Sequence, residues 1–241
     1  MPAPVILSPH PDDAALSLWH VLASGDATVL TVFNGPSDGD STPGWWDKLT
    51  RAENALERAA ARSAEDRDAL ALAGVEPTEL GFVDGQYRDG EQAIEPLVAA
   101  IEANAPDGST LLAPAALDKH RDHLAVRAAA LELHARGRAV ALYADVPHAT
   151  VHGWPAWVNG DGTPDYLDPE AFWDLAFEGV DVDLRGLQPE VHRLDDPQEA
   201  TKRDAVGRYR SQVPALESEF SILTREDVLR FEVVWKLPAA G

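Results

Sequence analysis

Cysteine is absent from the 241-residue chain, which excludes disulfides, thiolate metal centres and cysteine nucleophiles. Any transition-metal site must therefore be built from histidine with aspartate or glutamate. Basic residues are scarce: 20 Lys and Arg stand against 41 Asp and Glu, a formal net charge of −21. Such a charge repels phosphate backbones and anionic lipid, so neither nucleic acid nor membrane is an expected partner. Long apolar runs are also lacking, and none approaches the roughly 20 residues of a membrane span. The opening MPAPVILSPHPDD has no basic segment and meets acids early, which predicts no signal peptide and a cytoplasmic protein. The rest is ordinary globular composition, 45% hydrophobic and 25% charged, ample for a core.

Short apolar runs alternate with helical periodicity along the chain. Strands are expected at residues 4–8, 27–33, 78–83, 109–113, 139–146, 190–194 and 230–235, with helices at 14–24, 49–72, 91–104, 121–136 and 199–210. That alternation predicts an α/β fold, a mostly parallel sheet covered by helices on both faces. No linker composition or internal repeat divides residues 1–241, so a single domain is expected. Two stretches break the rhythm, 34–47 with Trp45 and Trp46, and 147–169 with Trp154 and Trp157. Loops of this length inside a compact domain are usually functional or disordered, and the aromatics argue against disorder. They are expected to wall a substrate entrance.

Ligands of an open parallel sheet bind beyond the carboxyl ends of its strands. Two clusters follow such ends: His10-Pro11-Asp12-Asp13, and Leu117-Asp118-Lys119-His120-Arg121-Asp122-His123. Each taken alone divides evenly between helix capping and chemistry. Together, after two strands of one sheet, they favour a metal site. Two histidines and one aspartate would leave a coordination position open, the pattern of a catalytic rather than a structural zinc.

These residues carry a resemblance. Ser8-Pro9-His10-Pro11-Asp12-Asp13 and His120-Arg121-Asp122-His123, at their separation, resemble the LmbE-like, or PIG-L, family of zinc-dependent N-deacetylases. Arg62-x-x-Glu65, Leu80-Gly81-Phe82-Val83-Asp84, Tyr143-Ala144-Asp145-Val146-Pro147 and Lys202 to Gln212 resemble further family segments. The resemblance implies a Rossmann-like fold with Zn2+ held by His10, Asp13 and His123 at the carboxyl ends of the strands. It further implies Asp12 as general base, His120 as stabiliser of the charged intermediate and Asp122 as the acceptor that orients a histidine. Two departures stand out: Ala14 replaces a Glu common in the family, and Arg121 a Pro.

Arg62 and Asp84 resemble family positions that line the substrate pocket, although a salt bridge tying helix to sheet is an equal reading. Trp45 and Trp154 are candidate sugar contacts, against packing under the loops. His148 and His152 read as polar loop residues, and His20, His134 and His192 as surface residues. The expected enzyme is a metal-dependent hydrolase that removes an acyl group, acetyl first, from a small-molecule amino sugar or glycoconjugate. Alternatives are an amidase acting on a thiol conjugate or natural product, a binding protein that retains the fold without turnover, and a phosphoesterase using the Asp12-Asp13 pair. The sequence leaves the oligomeric state open, a homo-oligomer included.

Overall fold

The computed structural model describes residues 2–36, 41–117, 119–161 and 167–239. Asp118 and parts of both long loops, 37–40 and 162–166, lie outside the described residues. Strand β1 (Val5–Ser8) leads to short helices α1 (Asp13–Ser17) and α2 (Trp19–Leu22), then to β2 (Thr28–Thr31). Helices α3 (Trp45–Leu49) and α4 (Ala55–Leu70) precede β3 (Thr78–Glu79), and α5 (Ile94–Asn104) precedes β4 (Leu111–Pro114). Next come α6 (Arg121–Ala135), β5 (Val140–Tyr143), α7 (Ala156–Asn159) and α8 (Pro169–Phe177). The order ends with β6 (Glu190–Arg193), α9 (Asp196–Gly207), α10 (Val213–Phe220) and β7 (Phe231–Lys236).

All these strands share one sheet in the order β3-β2-β1-β4-β5-β7-β6. Strands β1 to β5 pair in parallel, whereas β7 runs antiparallel to both β5 and β6. The sheet is thus mostly parallel, as expected. In β1 every residue is buried, because both faces are covered: Val5 and Leu7 pack into one apolar cluster and Ile6 into the other. The chain passes from β1 to β2 and β3 on one side, then crosses to β4 on the other. The connections leaving β1 and β4 therefore diverge at a switch point, where a crevice opens. Among the described residues, no helix is long and apolar enough to cross a membrane.

Three departures from the expected elements have local causes. The helix expected over 14–24 breaks at Leu18 (φ −138°), because Glu232 of β7 accepts the backbone N–H groups of Trp19 (2.7 Å) and His20 (2.9 Å) and starts a new helix there. The helix expected from residue 49 begins at Ala55, where the Asn54 side chain accepts the amides of Leu56 and Glu57. Within 147–169, a 3₁₀ turn and α7 replace continuous loop, and Pro155 precedes the latter.

Glu232 also resolves two of the three histidines read as surface residues, His20 and His192. His20 donates through Nδ1 to Glu232 (2.6 Å) and stacks on His192 at 3.6 Å, while Lys202 Nζ donates to the same carboxylate at 2.6 Å. Burial opposes ionisation of Glu232, yet Lys202 and His20 hold its carboxyl down at about 2. Glu232→Ala strips buried Lys202 of its paired carboxylate and is expected to cost about 3–5 kcal/mol in urea unfolding. The folded-state pKa lies below the ordinary value of 4.5, so the ionised group stabilises the fold above that value and loses this contribution as pH falls through about 2. The stability gap between wild type and Glu232→Gln should be flat near neutrality and narrow on acidification. A gap that widens in acid would exclude the ion pair as its source.

Candidate active site

The turn after β1 is held by its own polar groups. Ser8 Oγ donates to the His10 carbonyl (2.8 Å) and accepts the Ala14 amide (3.0 Å), while Asp13 Oδ2 accepts the His10 amide (2.8 Å). These bonds hold Asp12 at φ 115°, a conformation rare for any residue with a side chain and costing about 1–3 kcal/mol. Asp12 and Asp13 are both buried in the wall of a cavity of about 830 Å³.

The second cluster arrives at the start of α6, beyond β4. His120 caps that helix, its Nδ1 accepting the Asp122 amide at 3.3 Å. Nitrogens of His10, His120 and His123 come within 4.8 Å of one another. Asp13 Oδ2 lies 3.4 Å from His10 Nδ1 and 3.3 Å from His123 Nε2. The other nitrogen of each of these two rings is anchored by a buried carboxylate: His10 Nε2 donates to Asp122 and His123 Nδ1 to Asp145, both at 3.0 Å. Carboxylates placed behind imidazoles in this way orient the rings and make them better metal ligands.

The charges explain the titration of the site. Burial and the neighbouring Asp13 push the Asp12 carboxyl up to about 8, with Arg62 acting in the opposite sense. Burial alone would lower His10, but hydrogen bonds to Asp122 and Asp13 raise it to about 9. Burial would raise Asp122, and its bonds to His10 and Arg88 hold it below the usual carboxylate range instead.

Arg62 of α4 donates to Asp84 at 3.0 Å, and both side chains line the cavity, so the salt bridge and the pocket position coexist. Trp45 lines the cavity at 60% exposure. Trp154 does not, and this corrects its expected place at the entrance. It is 3% exposed, packs 5.6 Å from Trp173 and donates Nε1 to the Asp227 carbonyl, because its loop folds inward under the sheet's antiparallel end. His148, read as a polar loop residue, reaches the cavity, with its ring 5.7 Å from that of His123. His152 stacks on Phe172 at 3.7 Å. Asp145 entered the sequence reading only inside the family-like segment Tyr143 to Pro147, with no role of its own, and Arg88 did not enter it.

Comparison with known proteins gives the family and the fold. A family model described as PIG-L, GlcNAc-PI de-N-acetylase, matches residues 5–134. The 2'-N-acetylparomamine deacetylase of Streptomyces fradiae is 33% identical over 168 residues, 60% of this chain and 57% of that protein's length. Among solved structures, the A40926 pseudoaglycone deacetylase Dbv21 superposes with a TM-score of 0.69 at 24% identity, covering 100% of this chain and 99% of that one. The zinc inhibited form of teicoplanin deacetylase Orf2 gives a TM-score of 0.67 at 21% identity, with 96% of each chain covered. At these identities the structures show a shared fold.

The two tryptophans should separate in unfolding experiments. Trp154→Ala is expected to cost about 3–5 kcal/mol, as for large core aromatics, and Trp45→Ala about 1 kcal/mol or less. Equal losses would contradict their different burial.

Proposed function

Because the chain belongs to the PIG-L family, we propose that it is a metal-dependent hydrolase removing an N-acyl group, acetyl first, from an amino sugar or glycoconjugate. The observation that carries this reading is the single Asp13 oxygen facing two imidazoles, each backed by a buried carboxylate. Its separations of 3.3–3.4 Å match the ligand–ligand edge of a tetrahedron with bonds of about 2.0–2.1 Å, as zinc forms with N and O donors. The carboxylates crowded at Asp12 and Asp13 also call for a compensating cation. His10, Asp13 and His123 would hold zinc. Bound there, zinc would supply Lewis acidity, polarising the acyl oxygen and making water a stronger acid.

The remaining steps fall to the chain's own groups. Asp12 takes a proton from the attacking water as the water oxygen bonds to the acyl carbon. His120 accepts a backbone N–H at Nδ1, so its neutral form carries the proton on Nε2. That N–H donates to the developing oxyanion. The C–N bond then breaks, the amine leaves with the proton that Asp12 took from the water, and the carboxylic acid departs. Arg62 and Asp84 offer a donor and an acceptor to sugar hydroxyls at the cavity wall. The deacetylase names of its relatives support the reaction class.

Acetate release from N-acetylglucosamine conjugates, measured with metal analysis of each variant, tests the assignment. Asp12→Asn should keep its metal and lose about 10²- to 10⁴-fold in kcat. His120→Ala should likewise keep metal and lose turnover, whereas His123→Ala should lose the metal. Equal metal content in wild type and His123→Ala, or metal loss in His120→Ala, would replace this ligand set.

A further inference from the structure

Two short helices present apolar pairs to the cavity at the same spacing. Helix α3 carries Trp45 and Leu49 and α10 carries Leu216 and Phe220, each pair four residues apart and so on one helical face. All four line the cavity that contains His10, Asp12 and His123. Trp45 and Leu49 are 60% and 46% exposed, unusual for side chains so apolar. The helices are tied together where Trp46 Nε1 donates to Gln212 Oε1 at 2.6 Å. Phe220 meets the His148 ring edge-on at 5.2 Å, and His148 in turn lies against His123. The apolar wall is therefore continuous with the reacting centre.

The charges of the cavity narrow what can enter. Its three arginines are engaged: Arg62 with Asp84, Arg88 with Asp122, and Arg121 with the carbonyls of Arg88 and Gly90. At the mouth the exposed Glu219 carboxylate lines the same space, so an anion added there meets a like charge and arginines already paired.

Resting on the N-deacetylase reading, we propose that the α3–α10 mouth is an aglycone subsite. It takes amino sugars joined to a flat apolar group without negative charge, and disfavours phosphodiester-linked conjugates. A sugar ring alone does not account for the wall, since Leu49, Leu216 and Phe220 offer its hydroxyls no hydrogen bonds.

Calorimetric titration of the full-length, metal-loaded Asp12→Asn protein tests this with three N-acetylglucosamine probes: the methyl glycoside, the β-naphthyl glycoside and the methyl phosphodiester. The naphthyl glycoside should bind roughly 10- to 100-fold tighter than the methyl glycoside, and the phosphodiester more weakly than either. Adding Trp45→Ala with Leu49→Gln should reduce the naphthyl-to-methyl ratio about tenfold, and adding Glu219→Gln should narrow the phosphodiester penalty. Should the double substitution melt early, Leu49→Gln alone serves, since Leu49 is half exposed. Equal naphthyl and methyl affinities, a ratio untouched by the substitutions, or a phosphodiester bound as well as the methyl glycoside would overturn the proposal. So would sedimentation showing a dimer whose formation competes with naphthyl binding. Acetate release by wild type separates the two readings. Naphthyl selectivity without acetate release removes the hydrolase and keeps the subsite, whereas equal kcat/KM for methyl and naphthyl glycosides keeps the hydrolase and removes the subsite.

Discussion

The Asp122 carboxylate fastens the parts of the candidate active site to one another. One oxygen accepts His10 Nε2 from the turn after β1 and the Gly85 amide from the segment beyond β3, and the other accepts Arg88. Its own backbone N–H meanwhile donates to His120. A carboxylate wholly removed from water stays ionised only when matched by charge and hydrogen bonds, and Arg88 and His10 supply both. The approach also dictates the residue at position 85. A Cβ on Gly85 would fall 2.8 Å from an Asp122 oxygen, so any side chain there would push the carboxylate off its partners. His10 would lose the carboxylate behind its ring once this anchor moved.

Around that anchor the fold concentrates its local costs at the turn after β1. Asp12 sits in an unfavourable backbone conformation beside a second buried carboxylate, and neither feature would survive without support. The support comes from Ser8 and Asp13 within the turn and from Arg62 across the cavity. Glu232 contributes from further away. By ending α1 at Ser17 and starting α2 at Trp19, it lets the helix that carries Asp13 point independently of the next. The buried Lys202–Glu232 pair thus also bears on the direction of the turn that carries Asp12 and Asp13.

The two histidine-aspartate clusters were legible because each is compact in sequence and each follows a strand of unmistakable apolar character. The sheet then brings them together by topology alone, at the switch point beside β1. The contacts of Asp145, Arg88 and His148 were not legible for the opposite reason. Their partners lie 22 to 34 residues away or farther along other segments, and no local spacing announces such a pairing. The tryptophans show a different limit. Trp45 and Trp154 sit in stretches of similar Gly- and Pro-rich composition, yet one faces the cavity and the other the core. Composition marks a loop as aromatic without saying which side of the loop is covered. The short helices escaped because so few turns produce no periodicity, and α3 shows itself only through Gly44 and Asp47 at its start.

The chain divides its labour along its length. The proposed ligands and acid–base groups, His10 to Asp13 and His120 to His123, come from the first 123 residues, as do Arg62 and Asp84. One wall of the mouth comes from α10, far downstream, and side-chain bonds to the earlier helices hold it in place. Tyr209 donates to Asp66, Ser211 to Glu65, and Trp46 to Gln212. The floor is therefore fixed by several buried ion pairs, so that one altered residue leaves a charge stranded inside. At the mouth, Trp45 and Leu49 project into water from a helix held at other points. Substitution there changes what the cavity greets without unpairing a buried charge. On the proposed reading, selectivity is free to vary at the mouth while the paired groups beneath it stay constant.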